Sequence, residues 1–195
     1  MSTTTDTHKL FVTLGATSHG ITERETNDFY ATDPRAVELL LDLEQFSPNV
    51  WECACGAGHI SKVLEARQHN VISTDLVYRG FGLGGVNFLT SQQTFDGDII
   101  TNPPYKYASQ FVEKAIESIS DGHKVAMLLR LLFLEGKARR KLFEKYPPKI
   151  IYVASGRIEC ALGGDFEHYK GGAMAYAWFI WEKGYKGDTV VKWFN

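Results

Sequence analysis

Short apolar runs alternate with amphipathic helical patterns along most of the 195-residue chain, and this alternation constrains the fold more than any other feature. Helical spacing follows Pro34, follows the glycines at 56 and 58, and extends over residues 108–120. The intervening apolar runs have the length of strands and lie at residues 50–54, 71–74, 98–101, 125–129 and 150–153. The alternation predicts an α/β domain with a mostly parallel sheet. A last run at residues 173–181 is flanked by glycines and predicts one antiparallel strand.

Composition narrows the class of protein further. The chain has 44% apolar residues and a formal net charge of −2, which is typical of a globular protein and argues against a wholly basic nucleic-acid coat. Residues 1–25 are polar and without a clear period, so we expect a flexible N-terminal arm followed by one domain over residues 26–195. No signal-peptide or membrane-spanning pattern is visible. We expect a cytoplasmic protein, or a protein of the host cytoplasm if a phage or prophage encodes it.

The cysteines give little support to a disulfide or a metal site. The chain contains Cys53, Cys55 and Cys160, an odd number in a sequence without an export signal. Cys53 and Cys55 form a C-x-C pair, but no second Cys or His pair lies near enough in sequence to complete a zinc site. We therefore expect no metal, and we interpret residues 53 and 55 as small buried residues in a tight turn.

A glycine turn lies between the first long strand and its helix. Cys55-Gly-Ala-Gly58 follows the apolar run directly, and glycines allow a sharp turn and close approach of a ligand. Asp75 ends the next strand, where its carboxylate can accept both ribose hydroxyls of an adenosine. The spacing fits neither the dinucleotide fingerprint nor the phosphate-binding loop with G-K-[ST]. The turn therefore predicts a nucleoside site, with a plain glycine turn beside a surface aspartate as the alternative.

The strand at residues 98–101 ends in Asn102-Pro-Pro-Tyr105, and this second turn is more specific. Consecutive prolines cannot continue a strand, and they restrict the residue before them. Asn102 is thus held at the carboxyl end of a strand, the edge where open α/β sheets bind ligands. An amide beside a fixed carbonyl offers two acceptors to one amino group, and Tyr105 offers a face on which a base can stack.

Together these motifs resemble those of the S-adenosylmethionine-dependent amino-methyltransferases, in particular the small phage-type DNA adenine-N6 methyltransferases. Residues 30–34 resemble the Y-x-T-x-P segment that leads the family's motifs, and residues 51–58 resemble its first motif, with Cys53 where proline is usual. Residues 87–89 resemble the next motif, with Asn87 where aspartate is usual. The resemblance implies a Rossmann-like three-layer fold with a seven-stranded, mostly parallel sheet.

The resemblance also implies site residues. The catalytic group is Asn102, Pro103, Pro104 and Tyr105. The S-adenosylmethionine-binding group is Tyr30, Thr32, Glu52, Cys53, Ala54, Gly56, Gly58, Asp75, Leu76, Asn87 and Phe88. In the implied reaction the target adenine leaves the DNA duplex, and the Asn102 side chain and Pro103 carbonyl hold its N6 amino group.

Contacts to DNA are less well marked. The basic residues at 137–149 predict either phosphate contacts or a solvated helix face, and Phe166 lies in a glycine-bounded loop. We select six candidates for nucleic-acid binding: Lys106, Lys137, Arg139, Arg140, Arg157 and Phe166. His59 is interpreted as a helix-start residue. No segment remains for a DNA-reading domain, so recognition is either short and relaxed or shared with a partner subunit or a second copy. No membrane partner is expected.

Two alternatives stay open at this point. The same catalytic motif serves methyltransferases that act on adenine or guanine in RNA, on cytosine N4, or on a protein glutamine. The leading Y-x-T-x-P segment favours DNA adenine. The second alternative is a cofactor-binding subunit without catalytic activity, against which the intact Asn102 and Tyr105 argue.

Overall fold

The computed structural model describes residues 29–164, residue 166 and residues 174–194. The predicted arm at residues 1–25 lies outside this part of the chain. The helices are α1 (Pro34–Leu43), α2 (His59–Ala66), α3 (Ala108–Ser118) and α4 (Lys137–Lys145). The strands are β1 (Tyr30–Thr32), β2 (Asn49–Glu52), β3 (Asn70–Ser73), β4 (Asp98–Thr101), β5 (Lys124–Arg130), β6 (Ile150–Ala154), β7 (Cys160–Leu162), β8 (Tyr176–Glu182) and β9 (Val190–Phe194).

Seven strands form the main sheet in the order β3-β2-β4-β5-β8-β6-β9. Strands β3, β2, β4 and β5 are parallel to their neighbours, β8 is antiparallel to both β5 and β6, and β9 is parallel to β6. The predicted α/β class, the seven strands and the single antiparallel strand are therefore confirmed. A separate two-stranded antiparallel ribbon joins β1 to β7.

The central strands are buried on both faces, which explains their unbroken apolar runs. Ile99, Met127 and Phe179 face one hydrophobic cluster, which includes α3 and α4. Ile100 and Leu128 face the other cluster, which includes α1 and α2. Side chains of successive strand residues point to opposite faces, so each central strand contributes to both clusters. The result is three layers, with helices on each side of the sheet.

Local signals set the helix starts. Asp33 accepts a hydrogen bond from the backbone N–H of Arg35 at 2.9 Å, and Pro34 is the first residue of α1. This is the N-cap and proline arrangement that the sequence predicts. Helix α2 instead begins after Gly58, which has a φ of +81° and no side-chain cap.

Among the described residues, no helix is long and apolar enough to cross a membrane.

Three strands were not predicted, because their sequences lack the apolar pattern that indicates a strand. β1 and β7 have three residues each, too few to show a period. β9 lies at the edge of the sheet, and four of its five residues are exposed, so it lacks apolar alternation. Residues 88–90 form a 3₁₀ turn that Asn87 caps.

A buried carboxylate anchors the amino end of β4. Asp98 accepts hydrogen bonds from the backbone N–H of Ser47 at 2.6 Å and of Lys124 at 2.7 Å, and His123 Nδ1 lies 3.1 Å away. An asparagine keeps one acceptor oxygen and turns an NH₂ group toward these donors. We expect Asp98→Asn to lower the free energy of unfolding by about 2–3 kcal/mol in denaturant titrations.

The matched control for Asp98→Asn is Asp96→Asn. Asp96 contacts the other nitrogen of His123, but its side chain is 92% exposed. We expect the control to change the free energy of unfolding by less than about 0.5 kcal/mol. Equal effects of both substitutions would contradict the assigned role of Asp98.

Candidate active site

A cavity of about 760 Å³ opens at the carboxyl edge of the sheet, beside the ends of β2, β3 and β4. Twelve of the predicted site residues line it: Tyr30, Thr32, Glu52, Cys53, Ala54, Asp75, Leu76, Asn87, Phe88, Asn102, Pro104 and Lys106. Residues from five separate segments of the chain thus meet at one edge. This is the edge at which an open α/β sheet binds its ligand.

The glycine turn after β2 is required by its surroundings. Gly56 and Gly58 have φ angles of +53° and +81°. A Cβ atom on Gly56 would overlap the ring of Phe29, and one on Gly58 would lie 2.5 Å from the ring of Phe81. The two aromatic rings therefore pack directly on the turn, and neither glycine lines the cavity itself.

Asp75 ties this turn to the end of β3. One carboxylate oxygen accepts a hydrogen bond from the backbone N–H of Gly56 at 2.8 Å, and the other accepts from Val77 at 2.9 Å. A carboxylate oxygen has two lone pairs, so each oxygen keeps one for a further donor. The carboxylate is thus fixed against the glycine turn and still able to accept hydroxyl groups from the cavity.

Glu52 lies deeper, at the end of β2. Its carboxyl accepts hydrogen bonds from both the backbone N–H and the hydroxyl of Ser61. Burial raises the pKa of the Glu52 carboxyl well above its usual range, although the Ser61 bonds oppose the shift. Burial thus favours the neutral form of the Glu52 carboxyl.

Asn102 is the most constrained polar group of the site. Its Nδ2 donates to the carbonyl oxygen of Tyr30 at 2.9 Å and to Thr32 Oγ1 at 3.0 Å. Its Oδ1 is buried, and no hydrogen-bond partner for it lies within the described residues. A buried acceptor without a partner is costly, so this oxygen is poised for a donor from the cavity. The Y-x-T segment on β1 thereby fixes the orientation of the Asn102 amide.

Tyr105 is enclosed by three other side chains. Its ring centroid lies 5.7 Å from that of Tyr30 and 6.1 Å from that of Tyr176, and the Arg130 guanidinium carbon lies 4.5 Å from it. Burial raises the pKa of the Tyr105 phenol. Neither Tyr105 nor Pro103 lines the cavity, whereas Pro104 does. The described surroundings of Tyr105 are thus a packed aromatic cluster.

Asn87 and Phe88 occupy the far wall. Asn87 is exposed, and its Oδ1 caps the 3₁₀ turn by accepting from the backbone N–H of Leu89 at 3.1 Å. The Phe88 ring is buried edge-on against Trp51, with centroids 5.2 Å apart. This pair therefore forms an apolar wall with an amide at its exposed rim.

The six candidates for nucleic-acid contact do not form one cluster. Lys106 lines the cavity. Lys137, Arg139 and Arg140 lie together on α4, where Arg140 pairs with Glu144 at 2.7 Å. The other two candidates lie elsewhere: Arg157 follows β6, and Phe166 packs beside His59 with centroids 5.7 Å apart.

Two residues of the site were missed by sequence reasoning. His59 begins α2 as predicted but also lines the cavity, and burial lowers its pKa. Arg130 ends β5 and covers Tyr105, and its buried Nε has no hydrogen-bond partner among the described residues. The sequence signal that could have identified Arg130 is its charge at the end of an otherwise apolar strand.

The thiols have a structural role. Cys53, Cys55 and Cys160 are buried and free, and burial raises the pKa of the Cys55 thiol to about 12. A thiol with such a pKa is a poor nucleophile at neutral pH. In the described part of the chain, no three His, Cys, Asp or Glu side chains lie together as metal ligands would.

Comparisons with known proteins show the fold. No protein-family model matches the chain, and no curated protein matches it. Solved structures do match, with TM-scores of 0.5 and above. A candidate class I S-adenosylmethionine-dependent methyltransferase from Listeria monocytogenes aligns at a TM-score of 0.59 and 13% identity, over 95% of this chain and 71% of that one.

Two other matches act on different nucleic acids according to their names. The modification subunit of a candidate type I restriction enzyme from Vibrio vulnificus aligns at 0.60 and 13% identity, over 86% of this chain and 46% of that subunit. The 23S ribosomal RNA methyltransferase ErmE aligns at 0.52 and 15%, over 83% of this chain and 71% of that enzyme. The chain therefore has the Rossmann-like fold of S-adenosylmethionine-dependent methyltransferases.

The packing of Phe29 on the glycine turn gives a direct test of this geometry. We expect Gly56→Ala to lower the free energy of unfolding by about 2–4 kcal/mol, because the new methyl group combines a positive φ with overlap on the Phe29 ring. Thermal and denaturant unfolding measure the change. The double variant Phe29→Ala/Gly56→Ala should recover part of this loss relative to the sum of its single variants.

Gly80→Ala is the matched control for Gly56→Ala. Gly80 has a φ of +84°, yet a Cβ atom there would meet no atom of the described chain within 4 Å. Gly80→Ala should therefore lower the free energy of unfolding by only about 1 kcal/mol, the strain of the positive φ. Additive effects in the double variant would show that the ring does not press on the turn.

Proposed function

We propose that this protein transfers a methyl group from S-adenosylmethionine to the N6 amino group of adenine in DNA. The observation that carries the proposal is the buried Oδ1 of Asn102. Tyr30 and Thr32 bind the amide nitrogen, which leaves the oxygen as an acceptor without a partner at the cavity. An exocyclic amino group supplies the N–H donor that this oxygen lacks.

The cavity has the features that an adenosine-containing cofactor requires. Asp75 keeps free lone pairs for ribose hydroxyls, and Phe88 with Leu76 offers apolar contact for a purine ring. When bound, S-adenosylmethionine supplies an electrophilic methyl group on a sulfonium. Tyr30 and Thr32, at the other end of the cavity, would hold its methionine portion.

Asn102 would act by holding the target nitrogen. Its Oδ1 accepts one N–H of the amino group, and the carbonyl of Pro103, in the peptide that leads into Pro104, accepts the other. Two acceptors would draw the nitrogen out of conjugation with the ring and free its lone pair. The nitrogen could then take the methyl group from the sulfonium, whose methyl carbon–sulfur bond would break to release a neutral thioether. The same acceptors stabilise the positive charge that develops on the nitrogen. The proton that is finally lost leaves to solvent, since a methylated amino cation is strongly acidic.

Tyr105 would complete the pocket for the base. In the sequence interpretation it is a stacking platform for a flipped adenine. Its ring already contacts the Arg130 guanidinium, so a stacked base requires that the guanidinium leave the face it covers, or that the base use the other face. We propose that Arg130 holds the Tyr105 ring in place until the base arrives.

DNA is favoured over the other substrates by the resemblance of residues 30–34 and 102–105 to the phage-type adenine enzymes. Structural neighbours include one protein named for DNA modification and one for ribosomal RNA methylation, so the fold itself is compatible with both. This chain spans 46% of the modification subunit. We therefore propose that recognition of the DNA site is either short or shared with a partner subunit or second copy.

The first test identifies the product. Purified protein is incubated with isotope-labelled S-adenosylmethionine and unmethylated DNA, RNA or cell extract, and the modified nucleoside or amino acid is identified by mass. Label in N6-methyladenine from DNA supports the proposal. Label in RNA, in cytosine or in protein overturns the substrate. Bound cofactor without any transfer would indicate a non-catalytic subunit.

The role of Asn102 predicts a separation of binding from chemistry. Asn102→Ala should lower kcat by about 10²–10³-fold, because it removes the acceptor that holds and activates the amino group. The Kd for S-adenosylmethionine, measured by calorimetry, should stay within about threefold of wild type, since Asp75 and the glycine turn are untouched. Equal losses in kcat and in cofactor affinity would contradict this division of roles.

The hydrogen bond from Thr32 to Asn102 gives a graded test. Thr32→Val keeps the shape of the side chain but removes the acceptor that holds Nδ2 at 3.0 Å. We expect kcat to fall by about fivefold to twentyfold, with KM for DNA nearly unchanged, because the amide can then rotate. Thr32→Ser retains the oxygen and should restore most of kcat. If valine and serine variants behave alike, the hydroxyl does not orient the amide.

A further inference from the structure

An exposed apolar turn lies at the same edge of the sheet as Asn102. Strands β4 and β5 are parallel and adjacent, with Thr101 opposite Met127, so their carboxyl ends meet at one edge. Asn102 follows β4, and the 3₁₀ turn Leu131–Leu134 follows β5. Arg130, the last residue of β5, reaches Tyr105 of the catalytic turn. The turn after β5 is therefore a direct neighbour of the proposed active site.

The turn is anchored, and two of its leucines point outward. Phe133 is buried against Phe143 and Phe179, with ring centroids 5.7 Å and 5.6 Å away. Its neighbours Leu132 and Leu134 are 59% and 45% exposed. We call these two side chains the leucine tip.

Backbone hydrogen bonds hold the leucine tip in place. The N–H of Leu131 donates to Ala175 at 2.8 Å, and that of Glu135 donates to Leu132 at 3.0 Å. A fixed backbone and a buried phenylalanine thus present apolar side chains to solvent.

Positive charge exceeds negative charge near the leucine tip, with the exposed acid Glu135 between Leu134 and α4. Helix α4 begins three residues after Leu134 and exposes Lys137, Arg140, Lys141 and Lys145, with Glu144 as its one acid. The whole chain has a net charge of −2, so this helix concentrates cations on a slightly acidic protein. Apolar side chains flanked by cations match a ligand with phosphates outside and stacked rings inside, which is duplex nucleic acid.

We propose that Leu132 and Leu134 enter the base stack of double-stranded DNA beside the target adenine, while the exposed cations of α4 contact the phosphates. The inference rests on the proposed function. A base in a duplex must unstack to reach Asn102, at a cost of a few kcal/mol. Apolar side chains that enter a base step offset part of that cost by filling the space the base leaves. The leucine tip is placed to do so because it shares the edge of the sheet with Asn102.

The test compares two substrates that differ only in the cost of unstacking. The methylated site is first mapped with wild-type protein on unmethylated genomic DNA. Oligonucleotide duplexes then carry that site with the target adenine either paired with thymine or opposite an abasic position. If wild-type protein forms no N6-methyladenine in any DNA, the proposed function fails. If it does, the comparison of variants tests the leucine tip alone.

We expect Leu132→Ala/Leu134→Ala to lower kcat/KM on the paired duplex by about tenfold or more, since part of the unstacking cost is no longer offset. On the duplex with the unpaired adenine, the kcat/KM of the same variant should stay within about threefold of wild type. Equal losses on both duplexes, or no loss on either, would overturn the proposal. A wild-type dimer that becomes a monomer in the variant, with equal losses on both duplexes, would assign the tip to an interface between copies.

Two further variants complete the design. Val190→Ala/Val191→Ala truncates two comparably exposed side chains, 47% and 43%, on the edge strand β9. This variant should leave the ratio of kcat/KM between the two duplexes unchanged. Lys137→Ala/Lys141→Ala should reduce the slope of log kcat/KM against log salt by about 0.9 for each phosphate that the protein no longer neutralises. An unchanged salt slope would remove α4 from the proposed surface.

Discussion

The hydrogen bonds from the Asn102 amide to β1 are the interactions on which the site depends. They join a residue at the end of a core strand to a three-residue ribbon strand that lies about seventy positions earlier in the chain. Without them the amide of Asn102 has no preferred orientation, and β1 loses its polar link to the main sheet. Because Nδ2 is bound twice, Oδ1 is left as a buried acceptor without a partner among the described residues. One pair of hydrogen bonds thus links the ribbon of β1 and β7 to the end of β4 and orients the amide.

The two carboxylates of the cavity are fixed by contacts of the same kind, each with a local partner. Asp75 is bound to the backbone of the glycine turn, and Glu52 is bound to Ser61. Burial raises the pKa of the Glu52 carboxyl, which favours its neutral form. A cavity prepared in this way presents fixed dipoles to its ligand and needs little rearrangement on binding. Among the described residues that line the cavity, Asn102 Oδ1 and His59 Nδ1 are buried without a hydrogen-bond partner, and the acceptor on Asn102 carries the functional proposal.

The sequence predicted the parts of this protein that are encoded locally. The glycine turn, the proline-stiffened catalytic turn and the Asp33 cap each depend on a few consecutive residues with restricted backbone angles. The α/β class followed from apolar runs alternating with helices. The cluster around Tyr105 could not be predicted, because Tyr30, Arg130 and Tyr176 come from three strands whose meeting depends on tertiary packing. β9 was missed because an exposed edge strand carries no apolar alternation.

The position of strand β5 explains why the proposed DNA surface lies beside Asn102. A strand that ends at the ligand edge must be followed by a turn at that edge, and the residues of that turn are free of the demands of the core. Phe133 anchors the turn to the core, because its ring packs on Phe143 and Phe179. The exposed neighbours Leu132 and Leu134 can therefore serve another interaction without loss of core packing. Exposed leucines weaken solubility without stabilising the fold, so an interaction with a partner is the physical reason to place them beside the catalytic turn.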